Sequence, residues 1–487
     1  MTETTTPAGV QAFYDQVTNV SDFIWGGTWN GEAVLPFPPM VIVLLGVGAW
    51  IMIGLRFYPI LKLGEAFAGL FKKGDGGKGE ISPFAALSTA LSGQVGTGNL
   101  AGVATAITLG GPGALFWMWI TALFGMALAF AEGSLAIRFR EQRADGTYQG
   151  GPMSYIRMGL GKKWGWLAIL FCLGTLFSSV ATGNMIQSNS IADSITSLAP
   201  VPEWGAGLIV AAAVFIVIIG GIKSIGNLAE KIVPFMAITY LLLGFAALIL
   251  NIEDLPASFA LIFDSAFNGA AATGGFLGAG VMMAIRAGVA RGLFSNEAGQ
   301  GSTPMAHAVA QTDDPARQGR FAMMGTFIDT MIICTMTGLV MLTVQGSFPA
   351  AGGTVEHVWN SDLRGFDMTL AAYSAVFPQI LFGTTTLGGL VTSACLIMFV
   401  FTTLLTWSYY GERAATHLFG QKVAIPWRLL WVGMIFVGSF QQIEFVWRMG
   451  DIANAAMALP NLIALAALSA VVFALARGDK TAGRTHD

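Results

Sequence analysis

Two stretches of this sequence place polar chemistry inside apolar runs: LSGQVGTGNLAG at residues 91–102 and ARGLFSNEAGQGSTP at 290–304. Each sets glycine beside amide, hydroxyl or carboxylate groups near the expected depth of a bilayer centre. Such groups are costly there unless they serve a site. Unwinding at Gly96-Thr97-Gly98 frees N–H groups at the start of a half-helix, and these, with the helix dipole, favour a carboxylate. Carbonyls freed on the other side of the break suit Na⁺, a hard cation that takes oxygen ligands. Gln94 and Asn99 either orient a head group or brace the break. Ser295, Asn296 and Glu297 supply acceptors for an ammonium, and Gly292 and Gly299 let the chain bend. Blander readings stand beside these: GTG as close helix packing alone, and Glu297 as a structural partner of Arg286 or Arg291. A phosphate-cradling loop is disfavoured because no GK[ST] follows, and a potassium-type filter because the motif sits in a full-length span.

The elements that hold these stretches follow from composition. The chain has 487 residues, 54% hydrophobic and 11% charged, with mean hydropathy +0.65. A soluble domain carries about 25% charged residues, so this chain cannot cover a globular surface. Apolar runs near 20 residues recur, which points to a helical membrane protein and not to a barrel. Glycine at 62 residues fits either tight helix packing or broken helices lining a cavity. A net charge of −3 argues against nucleic acid as a partner. Cys172, Cys334 and Cys395 fall in apolar segments and read as inert thiols, and the four histidines are scattered, so no metal cluster is expected. The first residues lack a basic start followed by an apolar run, so no cleaved leader is expected.

Apolar segments lie at roughly 37–58, 83–109, 114–137, 165–196, 204–222, 231–250, 274–305, 321–345, 379–410, 425–443 and 455–476. That predicts eleven spans. The stretch 255–268 reads as an interfacial helix, and 444–454 as a short helix or part of the last span. With the N-terminus outside, the inside loops take every basic residue except Arg286, Arg291, Arg364 and Arg448, the bias that orients such proteins. The second and seventh spans, the two that carry the polar stretches, each open a block of five. An odd number per block inverts the second block, the layout of an inverted repeat with broken leading helices. The expected organisation is an outer segment at 1–36, an extra span at 37–58, repeats at 83–250 and 274–476, and a cytoplasmic tail at 477–487. The loop KKGDGGKGE at 72–80 reads as solvated.

Two further spans carry polar residues. FSSVATGNMIQSNSIADS at 177–194 brings Asn184, Gln187 and Asn189 near one another, as helix glue or, for Gln187, a substrate contact. FVFTTLLTWSYYGER at 399–413 offers Thr402 and Thr403, with Trp407 a turn further on. Hydroxyls that bond back to their own helix are common.

Together with GPGALFWMW and YQGGPMSY, these stretches resemble, in order from about residue 80 to 415, the alanine/glycine:cation symporter family of the amino acid–polyamine–organocation superfamily. The resemblance implies an all-α, five-plus-five inverted-repeat fold like the leucine transporter, with one extra N-terminal span. It implies no enzyme but sodium-coupled uptake of alanine or glycine across a bacterial inner membrane. Thr97, Gly98 and Asn99 would hold the substrate carboxylate, Gln187 would reach in from the fourth span, and Phe294, Ser295 and Asn296 would line the pocket. Trp407 would limit side-chain size. Thr402 and Thr403, with carbonyls near Gly93 and Val95, would form the sodium site. The seventh span could instead break between Gly274-Gly275 and Gly278-Gly280. Rival expectations are a proton-coupled transporter using Glu132, Glu297 or Asp329, a symporter for another neutral amino acid such as glutamine, a channel, and, weakest, a membrane enzyme.

Overall fold

The computed structural model describes residues 8–70, 76–143, 146–268, 277–441 and 443–483. Helices dominate. After α1 (Ala8–Gly26) and α2 (Pro39–Gly54) comes a helix in two pieces, α3a (Pro83–Gln94) and α3b (Gly98–Gly110), then α4 (Ala114–Arg138). There follow α5 (Lys162–Leu198), α6 (Glu203–Ile218), α7 (Gly221–Leu250) and α8 (Leu255–Asn268). A second helix in two pieces is made of α9 (Leu277–Asn296) and the short α10 (Thr303–His307). The rest is α11 (Pro315–Thr343), α12 (Gly365–Val376), α13 (Leu387–Phe419), α14 (Ala424–Gly438), α15 (Ile443–Ala467) and α16 (Ser469–Ala476). Six of these are long and apolar enough to cross a membrane, and α2, α3b and α6 are shorter apolar helices.

Starts are set locally. Ser82 accepts from Ala85 N–H ahead of Pro83, Asp314 from Arg317 N–H ahead of Pro315, and Thr386 from Gly389 N–H. Each side chain satisfies one orphan donor of a first turn, with proline where no donor is needed. The core lies where α3, α4, α9, α11 and α13 meet. Contact there is close: a methyl at Gly133 of α4 would stand 2.7 Å from Ala322 Cβ of α11. On the outer helices large apolar side chains face outward, among them Ile216, Leu242 and Ile425 at 65–75% exposure, a belt suited to lipid.

Helix covers most of each of the eleven expected segments, and the stretch 255–268 is helical, as α8. Residues 444–454 are part of α15, the second of the two readings given for them. Other expectations need correction. The segment 1–36 contains α1, an amphipathic helix that a search for apolar runs does not see. The ninth span begins at Leu387, because 380–386 form a small antiparallel hairpin. A larger hairpin pairs Gln345–Ala350 with Gly353–His357. The loop at 72–80 is not simply solvated: Glu80 N–H donates to Val309 O and Gln311 N–H to Ile81 O, both at 2.8 Å. Its residues 72–75 lie outside the described residues.

Candidate functional site

The first helix break falls at Val95-Gly96. α3a ends at Gln94, Val95 turns extended (φ −79°, ψ 97°) and α3b resumes in a wide π-type turn over Gly98–Gly102. The second falls after Asn296. Glu297 sits in the left-handed region (φ 56°), with Gly299 (φ 84°) and Gly301 (φ 89°) behind it, and the chain becomes helical again at Thr303. A positive φ is rare for a residue such as Glu, and such strain concentrates at functional sites. Gly278 and Gly280 lie within continuous helix, so no break occurs there; Gly274-Gly275 lies outside the described residues.

The two breaks are tied to each other. Gln94 Nε2 donates to Asn296 O at 2.6 Å, so Gln94 braces. Asn99 Oδ1 accepts from Gly96 N–H at 2.8 Å, and its Nδ2 donates to Asp329 Oδ1 at 2.6 Å. Asp329 Oδ2 accepts from Ser295 Oγ at 2.8 Å and from Thr330 Oγ1 at 2.7 Å. One buried carboxylate on α11 thus holds both broken helices through Asn99 and Ser295. Asn296 is spent on the turn itself: its Nδ2 donates to Thr330 and its Oδ1 accepts from Ala298 N–H.

Between the breaks lies a closed cavity, lined by Gly93, Gln94, Gly96, Gly98, Thr182, Gln187, Phe294, Glu297, Gln300, Trp407 and Asn454. The space open to the centre of a water-sized sphere is about 10 Å³, roughly what one water needs. Glu297 is its lining carboxylate. Its Oε1 accepts from Trp407 Nε1 at 2.8 Å and its Oε2 from Ser302 Oγ at 2.5 Å. The expected pairing with a same-helix arginine does not occur: Arg291 pairs with Asp451 and Arg286 with Asp22. Gln187 Oε1 takes Thr97 N–H at 3.2 Å and Thr97 Oγ1 at 2.7 Å. Trp407 reaches the cavity because α5 has a glycine opposite it: a methyl at Gly183 would stand 2.6 Å from Trp407 Cγ.

Of the expected substrate residues, Gly98, Gln187, Phe294 and Trp407 line the cavity, while the side chains of Thr97, Asn99, Ser295 and Asn296 orient its wall. Of the expected sodium ligands, Gly93 lines the cavity and Thr403 Oγ1 lies 3.3 Å from Val95 O, joining α13 to the first break. Thr402 Oγ1 instead bonds Phe399 O at 3.0 Å and faces Met236 Sδ at 3.7 Å. Asn184 and Asn189 are helix glue, donating to Trp431 O and Gln441 O. Sequence reasoning missed Thr182, Gln300 and Asn454 as cavity residues. Single polar residues in long helices carry little signal, although the glycines flanking Gln300 marked its turn. Glu132, named as a titratable candidate, lies away from the cavity, where its Oε1 accepts from Asn461 Nδ2 at 2.6 Å.

Two half-helices broken face to face around a buried polar cavity, in a bundle with an apolar belt, define a secondary transporter and not an enzyme. Comparison with known proteins places the family. The chain matches the sodium:alanine symporter family over residues 21–482, and it belongs to that family. It is 42% identical to the sodium/alanine symporter AgcS of Methanococcus maripaludis, over 94% of this chain and 96% of that protein. It is 35% identical to the probable sodium/glutamine symporter GlnT of Bacillus subtilis, over 89% of this chain and 86% of that one. Among solved structures it is similar in fold to MhsT in complex with L-phenylalanine, with TM-score 0.54 and 13% identity over 83% of this chain and 97% of that one. The protein is therefore a multi-pass membrane transporter of amino acids.

Proposed function

We propose that this protein carries alanine or glycine into the cell together with Na⁺. The observation that carries the reading is the closed cavity between the two breaks, with Glu297 on one wall and the Thr97 donors behind Gln187 on another. The substrate carboxylate takes the N–H groups at the start of α3b once the Gln187 amide turns aside, and the helix dipole favours that charge. The ammonium faces Glu297. The cavity would have to widen to admit an amino acid, and Trp407 and Phe294 in its wall would then limit side-chain bulk.

Sodium binds between α13 and the first break, on the carbonyls of Gly93 and Val95 and the hydroxyls of Thr403 and Thr402; Thr402 joins after a χ1 rotation away from Met236. The ion holds α3a in the geometry the amino acid needs, and by linkage the amino acid raises sodium affinity equally. The gradient then drives uptake, with the membrane potential adding ~2.3 kcal/mol per charge at 100 mV. In this reading eleven helices cross a bacterial inner membrane, N-terminus out and C-terminus in. The stretches 83–250 and 274–476 are inverted repeats that rock about the site, 37–58 is an extra span, 1–36 lies outside and 477–487 is the cytoplasmic tail.

Labelled-alanine uptake into proteoliposomes tests this. Uptake that requires an inward sodium gradient, competed by glycine and not by leucine, is the expected result. Equal uptake under a proton gradient moves the coupling to Glu132, Glu297 or Asp329, and uptake of glutamine in place of alanine reassigns the substrate.

A further inference from the structure

A second, larger cavity of about 980 Å³ lies beside α1, between α1, α3b, α9 and α15. Its charged lining is Arg286, Arg291 and Arg448 against Asp22 and Asp451, three positive groups to two negative, so the cavity carries a net charge of +1. Asp22 is shared: Arg448 donates to its Oδ1 at 3.0 Å and Arg286 donates to the same oxygen. Asp451 is held by Arg291 Nη2 at 2.8 Å.

The surplus charge lies with Arg286 and Arg448, which share Asp22; Arg291 is matched in charge by Asp451 but keeps an unused donor. It is 5% exposed, and its Nη1 has no hydrogen-bond partner. A buried guanidinium N–H without an acceptor is costly. Its carbon lies 4.8 Å from the centre of the Trp447 ring and 5.8 Å from that of Phe294, so aromatic faces hold it in place. Those two rings lie 4.8 Å apart, tilted by 37°, and Phe294 also lines the small central cavity. Arg291, Trp447 and Phe294 therefore form the partition between the two cavities.

We infer that this partition is an outer docking site for the carboxylate of an amino acid, with Arg291 Nη1 as its donor. The inference rests on the proposed uptake for the direction of travel but not for the binding itself. A carboxylate on Nη1 completes the guanidinium fork that Asp451 uses on one side only. It also draws Arg291 from Asp451, which loosens the tie between α9 and α15 over Phe294. The bound amino acid then stands one aromatic layer from the central site.

The test uses Leu109→Cys, a position 51% exposed that lines this cavity; the native cysteines are all buried. In sodium-free, low-salt buffer the purified protein is treated with a thiol reagent bearing a sulfonate or an ammonium. The anionic reagent should react about tenfold faster, as focusing by a positive cleft implies. Propionate and alanine should each slow it about threefold or more, while ethylammonium should not. The protection should vanish in the Arg291→Gln/Asp451→Asn pair, which removes both charges together. No protection by propionate, equal protection by ethylammonium, or protection that survives in the double variant would overturn the inference. Protection by choline chloride equal to that by propionate would give the site to an inorganic anion and remove its substrate role. Because sodium is absent, the outcome is separable: protection without sodium-driven uptake leaves the outer site and sinks the proposed function, and uptake without protection does the reverse.

Discussion

Glu297→Gln tests the central site most directly. The substitution keeps the shape of the side chain, and Gln Oε1 can still accept from Trp407 Nε1, now 2.8 Å from the carboxylate. It places no new demand on the backbone, since Glu297 already holds φ 56°. What it removes is the carboxylate that, in the proposed function, faces the substrate ammonium. A hydrogen bond to a charged partner contributes about 1.5–3 kcal/mol, and at ~1.4 kcal/mol per decade that is roughly a 10- to 100-fold loss of amino-acid affinity. Titration of the purified protein with alanine, at fixed saturating sodium, reads the change directly. Glycine should lose affinity by the same factor, because both amino acids present the same ammonium. A binding constant within about threefold of the unsubstituted protein would refute the assignment. It would leave Glu297 as the acceptor that fixes Trp407 and Ser302 and nothing more.

Three further outcomes are expected. Thr403→Ala removes the hydroxyl that lies 3.3 Å from Val95 O and should raise the sodium concentration for half-maximal uptake more than it lowers the maximal rate; an unchanged sodium dependence takes Thr403 out of the ion site. Trp407→Ala opens the cavity wall and should let leucine compete with alanine for uptake, and unchanged discrimination between the two removes Trp407 from size selection. Gly96→Ala places a methyl 2.6 Å from Thr403 Oγ1, so sodium-driven uptake should fall at least about tenfold while the protein still folds, a cost of ~1–3 kcal/mol for overpacking; near-normal uptake contradicts a cation between α3a and α13.

Much of this was readable in the chain. Burial in lipid leaves few reasons for glycine and amide to cluster, so 91–102 and 290–304 announced both breaks, and the first fell within a residue or two of Gly96-Thr97-Gly98. The partners were not readable. Glu297 has Arg291 six residues before it, but on a helix that spacing puts two side chains on different faces, and Arg291 pairs with Asp451 instead. Asp329 looked like a titratable candidate, but tertiary packing makes it the acceptor that ties Asn99 to Ser295. α1 escaped because an amphipathic helix has no apolar run, although its Asp22 and Trp25 close one side of the larger cavity.

Charge explains why these few residues govern the molecule. Elsewhere buried acids have basic partners: Glu412 with Arg413 and Arg428, and Asp451 with Arg291. Among the described residues Glu132, Glu297 and Asp329 are buried with no basic partner at salt-bridge distance, and all three lie at the breaks or against them. A carboxylate buried without a cation costs several kcal/mol. A cation beside any of the three would offset that cost, and the proposed function uses this at the breaks. Asp329 meets the cost with three side-chain donors, two of them from the broken helices, and so ties the two breaks together. Glu297 has two donors and lines the cavity, which is why the proposed function assigns the ammonium to it. Glu132 has an oxygen, Oε2, without a hydrogen-bond partner, and it stands behind the turn that Glu297 begins. In the proposed transport cycle, movement of that turn would alter the surroundings of both glutamates at once.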